Sequence, residues 1–455
     1  MVNSNNLHLQ EIVNYFPRKL IYILLVVGGL GFMWDLGFDS YIVGATLPVI
    51  ENQFHVSFAT ASLLVSLGTG GMGFGALISG YLADVFGRRR LFIITLSIMS
   101  IGSFFVAVAP SLIWMMIFRV VMGFGIGAEV PVLASYINEM VPAANRGKLY
   151  IAANASAVFG TVLVTFLGAY LIPTFIIGWR ILYIIGAAGA FIFLILRIAY
   201  LPESLRWLIK KGRYEDAEKE VRSIGVKYQV DKLKNAQLSR EISTENVFPY
   251  RLLFSRGIRV RTVMMIIWWI LLIFAFWSVE AYLPSYLVQL GFTITRSLLF
   301  TAIISLASLV FYPIAISIAD KFERKNIIIF TLVLNTILAL LFGFNRSTLG
   351  IIVLGFFIWG SLAMFSWFAH MYTNEIFPTA ARASGDGLAE AAGRIGSIWT
   401  LTLIPLYIAP LKNGIEISFI TIAIVLIVMA LIPLLLPKVT KKELEEIEKT
   451  GKANN

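Results

Sequence analysis

The chain has 455 residues, of which 58% are hydrophobic and 14% charged. A soluble protein of that length could not hide so much apolar side chain, so the composition excludes the soluble classes and points to a polytopic membrane protein. The net charge is +11 and there is no cysteine, which excludes disulfides and thiolate metal sites; His8, His55 and His370 are too scattered to form a ligand set.

A bilayer core about 30 Å thick needs roughly 20 apolar residues per helix. Such runs occur near 20–47, 58–82, 90–108, 111–138, 148–171 and 179–199, and again near 260–287, 295–319, 325–344, 349–372, 383–408 and 416–436. The first run is too long for the apolar part of a cleaved signal and is read as a mature helix. Between the two sets, residues 201–257 carry twelve Lys/Arg and eight Asp/Glu, with the polar helical stretch "ESLRWLIKKGRYEDAEKEVRSIG". The expected fold is an all-α membrane protein of twelve transmembrane helices. It divides into a six-helix bundle (1–200), a helical linker (201–257), a second six-helix bundle (258–437) and a tail (438–455) too short to suit a signalling module. Alternate connections hold Arg18, Lys19, Arg88, Arg89, Arg90, Arg146, Lys148, Lys321, Arg324, Lys325 and Arg382, whereas the others hold only Arg180, Arg296, Arg346 and Lys412. That asymmetry predicts the cytoplasmic membrane with both termini and the linker inside, and it accounts for the positive charge without nucleic acid.

The two sets echo one another. "GYLADVFGRRRLFI" (80–93) after the second run parallels "SIADKFERKNIII" (317–329) after the eighth, and "YINEMVPAANRGKL" (136–149) parallels "YTNEIFPTAARASG" (372–385). Such duplication often accompanies a transport site near the bilayer midplane. Asp84, Gly87, Arg88 and Arg89 in "GYLADVFGRRR" resemble the loop signature of the major facilitator superfamily, with Glu323 where the second copy would have glycine. "RVVMGFGIGAEVP" (119–131) and "LPESLRWLIKKGRYEDA" resemble the branch of sugar porters, aromatic-acid and metabolite symporters and organic ion transporters. The seventh run lacks the paired glutamines of sugar porters, which favours the aromatic-acid and metabolite side. The resemblance implies a secondary transporter taking up a small organic solute with protons by alternating access. A carboxylated, often aromatic, anion is the first expectation and a sugar the second. A facilitated uniporter is a further possibility. No cofactor or metal is expected, and a single chain is expected to suffice.

Chemistry inside the membrane rests on few residues, because a charge there is costly and must face a cavity or a partner. Asp35 and Asp39 in "WDLGFDSY" are four apart, on one helical face, where two ionised carboxylates repel. Against a proton-carrying role stands a simple capping role around Gly37. The resemblance pairs Asp39 with Arg119 of the fourth run; the plain alternative is a fixed salt bridge. Glu129 lies about 15 Å along the helix from Arg119, so it is expected either to line the cavity or to bond another helix. "GFGIGAE" (123–129) has no preceding strand, which excludes a dinucleotide loop. In the eleventh run Asp386, Glu390 and Arg394 form one stripe. Arg394 is the candidate anion contact, which Glu390 either neutralises permanently or releases on protonation. Trp277, Glu280 and Tyr282 stand before Pro284, where a helix break would line a cavity; Trp367 and His370 are weaker candidates. Asp84, Arg88, Arg89, Glu139, Arg146, Glu203, Glu375 and Arg382 are expected to gate the inner side by pairing across the two bundles. With neither cysteine nor clustered histidine, an enzyme is not expected.

Overall fold

The structure is a computed structural model that describes residues 22–223, 252–255, 258–318, 321–377 and 382–436. Arg18, Lys19, most of the linker and the tail from 438 lie outside the described residues, as do the side chains of Arg146, Lys148 and Arg382.

Alternating apolar runs and polar turns fold as antiparallel helices, since only a helix satisfies every backbone group in lipid. The first span, α1 (24–54), is segmented: π-helical over Leu24–Gly29, α-helical over Leu30–Phe32, π-helical over Met33–Asp39 and α-helical over Ser40–Phe54. It is followed by α2 (Phe58–Phe86), α3 (Arg88–Ala107), α4 (Leu112–Met140), α5 (Ala143–Thr174) and α6 (Gly178–Tyr200). The linker contributes α7 (Leu205–Lys210) and α8 (Tyr214–Ser223). The seventh span is α9 (Arg259–Glu280) plus α10 (Leu283–Gln289), so the chain breaks just ahead of Pro284, as its position predicts. The eighth is α11 (Ile294–Ser305) plus α12 (Ala307–Ile318); then come α13 (Arg324–Phe344), α14 (Thr348–Ile376), α15 (Arg382–Leu403) and α16 (Gly414–Leu431). Among the described residues eleven helices are long and apolar enough to cross a membrane. The segmented α1 makes the twelfth span.

The helix ends define two sides. The linker leaves from one, together with the turns at Gly87 and Val141–Pro142; the opposite side holds the turns at 55–57, 108–111, 290–293 and 345–347. On that opposite side Ser57, Ser111, Thr293 and Ser347 each accept the backbone N–H three residues ahead. Each such cap satisfies an amide that the first turn leaves unpaired, worth about 1 kcal/mol.

Packing follows the duplication. Before the linker, α2 lies along α4, α4 along α3, α3 along α6, and α1 on α5; after it, α9 lies on α15 and α13 on α16. The main contacts between the halves are α2 with α15 and α5 with α11. These are the second span with the eleventh and the fifth with the eighth, and a shift of six spans exchanges one pair for the other. Small residues let the first half close tightly. A Cβ on Gly127 would lie 1.9 Å from the Met72 carbonyl oxygen, and one on Gly123 would lie 2.1 Å from that of Gly68.

Candidate functional site

The two aspartates of α1 turn inward onto separate partners. Both lie on the π-helical Met33–Asp39 segment, about one turn apart and within electrostatic reach of each other. Asp35 meets Arg197 of α6 at 3.7 Å, and the same Nη2 lies 2.6 Å from Glu129 Oε1 of α4. Thr95 of α3 donates to Glu129 Oε2 at 2.7 Å. All three charged side chains are sealed, with Arg197 0%, Asp35 1% and Glu129 1% exposed. Arg197 was not among the candidates from the sequence. Its signal was a lone arginine in the apolar run "FLILRIAY", opposite the small residue Gly31, where a Cβ would stand 2.4 Å from Arg197 Nη2. Glu129 therefore bonds another helix and does not line a cavity here, because Arg197 and Thr95 occupy its carboxylate.

Asp39 faces Ser103, whose hydroxyl meets Oδ1 at 3.3 Å, and Gly186, where a Cβ would come within 2.3 Å of Oδ1. Arg119 approaches Asp39 differently from the expected carboxylate pair. Its Nη1 donates to the Asp39 backbone carbonyl at 3.2 Å, and its Nε to that of Leu64 at 3.4 Å. Gly68 makes room, since a Cβ there would lie 2.9 Å from the guanidinium.

Between the halves stands a second charged group. Glu390 and Arg394 of α15 pair one turn apart, Nε and Nη2 both donating to Glu390 Oε1 at 2.9 and 2.7 Å. Arg394 Nη1 also points across the interface to the Met72 sulfur of α2, at 3.4 Å. One turn towards the linker side, Asp386 accepts from Asn374 at 3.0 Å and lies 3.9 Å from His370, whose side chain is 38% exposed. His370 also packs against the Trp269 ring, 4.7 Å between centroids. Tyr41 of α1 sits among Trp277 and Trp359, ring centroids 5.3 and 6.3 Å away, and interacts electrostatically with both Glu280 and Arg394. Neither oxygen of the buried Glu280 makes a hydrogen bond of ordinary geometry among the described residues. Tyr41 thus links the Trp277 ring and Glu280 to the electrostatic reach of Arg394. The sequence reading had not singled out Tyr41, one more aromatic in a run full of them.

Two aromatic candidates lie apart from that group. Tyr282 donates to the Leu401 carbonyl at 3.0 Å and packs on Phe58 at 5.3 Å, closing the opposite side. Ser285 helps that closure by donating to Glu51 of α1 at 2.8 Å. Trp367 packs on Tyr312, 4.3 Å between centroids, at the contact of α12 with α5.

Among the described residues, the charges at the linker side pair within their own halves. Arg88 pairs with Asp84 and Glu139 at 2.9 Å each. Glu203 Oε1 accepts the backbone N–H of Arg88 at 2.9 Å and of Arg89 at 3.0 Å, an anion seated on the N-terminus of α3. Gly87, with φ 97°, permits this, as a Cβ there would meet Glu203 Oε2 at 2.5 Å. After the linker, Arg324 pairs with Glu375 at 3.0 Å. Every one of these pairs stays within its own half, because each carboxylate is already taken by a neighbouring helix. Arg146 and Arg382 carry side chains outside the described residues.

Comparison with known proteins agrees with this fold. The chain is 30% identical over 435 residues to the niacin transporter NiaP of Acinetobacter baylyi, covering 94% of this chain and 97% of that protein. It is 31% identical over 432 residues to a putative niacin/nicotinamide transporter of Bacillus subtilis, covering 93% and 97%. In three dimensions it is similar to the inward-open xylose transporter XylE from E. coli, with a TM-score of 0.75, 24% identity and 94% and 99% coverage. The family model described as "Major Facilitator Superfamily" matches residues 29–398 and 297–454. With twelve spans, the duplicated packing and these matches, the chain is a multi-pass membrane transporter and belongs to the major facilitator superfamily.

Proposed function

We propose that the chain takes up a small aromatic carboxylate together with protons across the cell membrane, with the linker side facing the cytoplasm. The observation that carries this reading is Arg394. It is a buried cation on α15, pointed at the other half and within electrostatic reach of Tyr41, whose ring packs on Trp277. A guanidinium binds a carboxylate through two parallel hydrogen bonds, and flat rings suit an aromatic body. Niacin, the substrate named for two of the relatives, is a carboxylic acid of that shape. Glu390 shields the cation while no anion is present. Its protonation would free Arg394 for the incoming carboxylate, so proton and substrate load together. Asp39 is the further proton carrier, in a pocket of Ser103 and Gly186, with Arg119 holding its backbone. Closure of the opposite side by Tyr282, Phe58 and the Ser285–Glu51 bond supports a rocking motion around this site.

The test is uptake into proteoliposomes under an imposed pH gradient, with nicotinate, 4-hydroxybenzoate, a pentose and an organic cation. Accumulation of an aromatic carboxylate that collapses with the gradient is the expected result. Competition by the pentose and none by the carboxylates would assign the sugar alternative. Equilibration without accumulation, unchanged by collapse of the gradient, would leave a uniporter.

A further inference from the structure

The Asp35, Glu129 and Arg197 cluster has no part in the site just described, yet it is the most deeply enclosed set of charges in the first half. Two carboxylates and one guanidinium sum to one negative charge when all are ionised. At 0–1% exposure that charge has no water to solvate it, and an unpaired charge in such a place costs several kcal/mol. The geometry says which pair is complete. Arg197 lies 2.6 Å from Glu129 but 3.7 Å from Asp35, and Thr95 donates to Glu129 as well. Glu129 is therefore the closer partner of Arg197. Asp35 is left over: neither of its oxygens makes a hydrogen bond of ordinary geometry among the described residues, and it faces the Glu129 carboxylate.

We propose that Asp35, Glu129 and Arg197 form a second proton-binding site, in which one proton resides on Asp35 and is donated to Glu129. Two adjoining carboxylates in a dry site share a proton for the same reason, since both cannot ionise cheaply. Among the described residues, the other groups named at the cluster do not supply the missing positive charge. From α1, Asp39 adds a further negative charge; α3 presents Thr95 and the Phe92 ring, 4.9 Å from the guanidinium. On α5 the Ser156 and Thr161 hydroxyls are turned to backbone carbonyls, and Arg119 of α4 is held at the Asp39 and Leu64 carbonyls. Because α1 enters from the linker side, Asp35 lies one turn closer to that side than Asp39. The cluster is thus a station for a proton between Asp39 and the linker side, which deepens the proton-coupled reading above and rests on it for its role in transport.

The occupancy itself is measurable without transport. Infrared difference spectra of the purified chain in lipid nanodiscs, recorded between mildly acidic and alkaline buffer, read the carbonyl stretch of a protonated carboxyl group. Wild type should show a component that both Glu129→Gln and Asp35→Asn abolish, since each leaves a neutral pair with Arg197, and that Asp39→Asn retains. Should Glu129→Gln fail to fold, Asp35→Asn keeps the short Arg197–Glu129 contact and reads the same component. Absence of the component in wild type, its survival in Glu129→Gln and Asp35→Asn, or its loss in Asp39→Asn alone would each overturn the proposal. The spectra need neither substrate nor gradient. A chain that held the proton but ran as a uniporter would show the component and still fail the uptake test.

Discussion

Arg119 holds Asp39 by its backbone carbonyl, at 3.2 Å, and leaves the carboxylate to the Ser103 hydroxyl, at 3.3 Å. The arginine therefore fixes the position of this turn of α1 without neutralising Asp39 in a direct ion pair. A carboxyl group so placed can gain and lose a proton while the arginine stays put. Asp39→Asn preserves shape and hydrogen bonding but cannot titrate. We expect it to abolish accumulation driven by a pH gradient while substrate exchange continues. Counterflow and gradient-driven uptake, measured on the same proteoliposomes, separate the two; full gradient-driven uptake by the variant would remove Asp39 from the coupling.

Arg394 and Glu390 give the second prediction. A hydrogen bond to a charged group contributes about 1.5–3 kcal/mol, so Arg394→Gln should weaken binding of a carboxylate by about 10- to 150-fold. Arg394→Lys should recover little of this, because an ammonium cannot present two parallel donors. Glu390→Gln should tighten binding at neutral pH and flatten its pH dependence, since Arg394 no longer waits for Glu390 to protonate. Titration calorimetry with nicotinate across pH reads both. Identical pH profiles in wild type and Glu390→Gln would end the linkage.

Much of the fold was legible because lipid imposes simple rules. Length and hydropathy placed the twelve spans, and the repeated "GYLADVFGRRR" and "YINEM" patterns foretold packing related by a six-span shift. Pro284 marked the real break in the seventh span. The partners of buried charges were less legible, since sequence spacing gives a face but not the helix opposite it. Asp35 and Asp39 do lie about one turn apart, but each meets a different helix, Asp35 the Arg197 side chain and Asp39 the Ser103 hydroxyl. Arg197 escaped notice because one arginine near a helix end usually reaches for the interface. Glu203 was expected at a gate, but the N-terminus of α3, 115 residues earlier in the chain, holds it.

The glycines of α2 and α4 supply a third prediction. A Cβ at Gly127 would lie 1.9 Å from the Met72 carbonyl oxygen, a backbone atom that cannot rotate aside. Gly127→Ala must therefore push α2 and α4 apart, an overpacking cost of about 1–3 kcal/mol. Purified yield and thermal stability in detergent should both fall. Gly80→Ala, on the same helix α2 with open space around the added methyl, should change neither. Equal stability of the two variants would show that the α2–α4 approach is looser than this.

The linker helix α8 carries a pH-sensitive contact. Glu220 lies 4.0 Å from Arg89, and burial pushes its carboxyl above the usual 4.5, outweighing the opposing pull of Arg89. A raised folded value means that the docked helix binds more protons than the undocked one. Docking is then fully supported below about pH 4.5 and loses stability as pH rises through the folded value. Since the side chain is partly exposed, the loss should stay under about 1 kcal/mol. Glu220→Gln removes the burdened charge, so at neutral pH it should slow amide hydrogen exchange across residues 214–223 relative to wild type. In acid, where Glu220 is already protonated, the two should exchange alike. Faster exchange in the variant at neutral pH would mean that attraction to Arg89 outweighs the cost of burying the carboxylate.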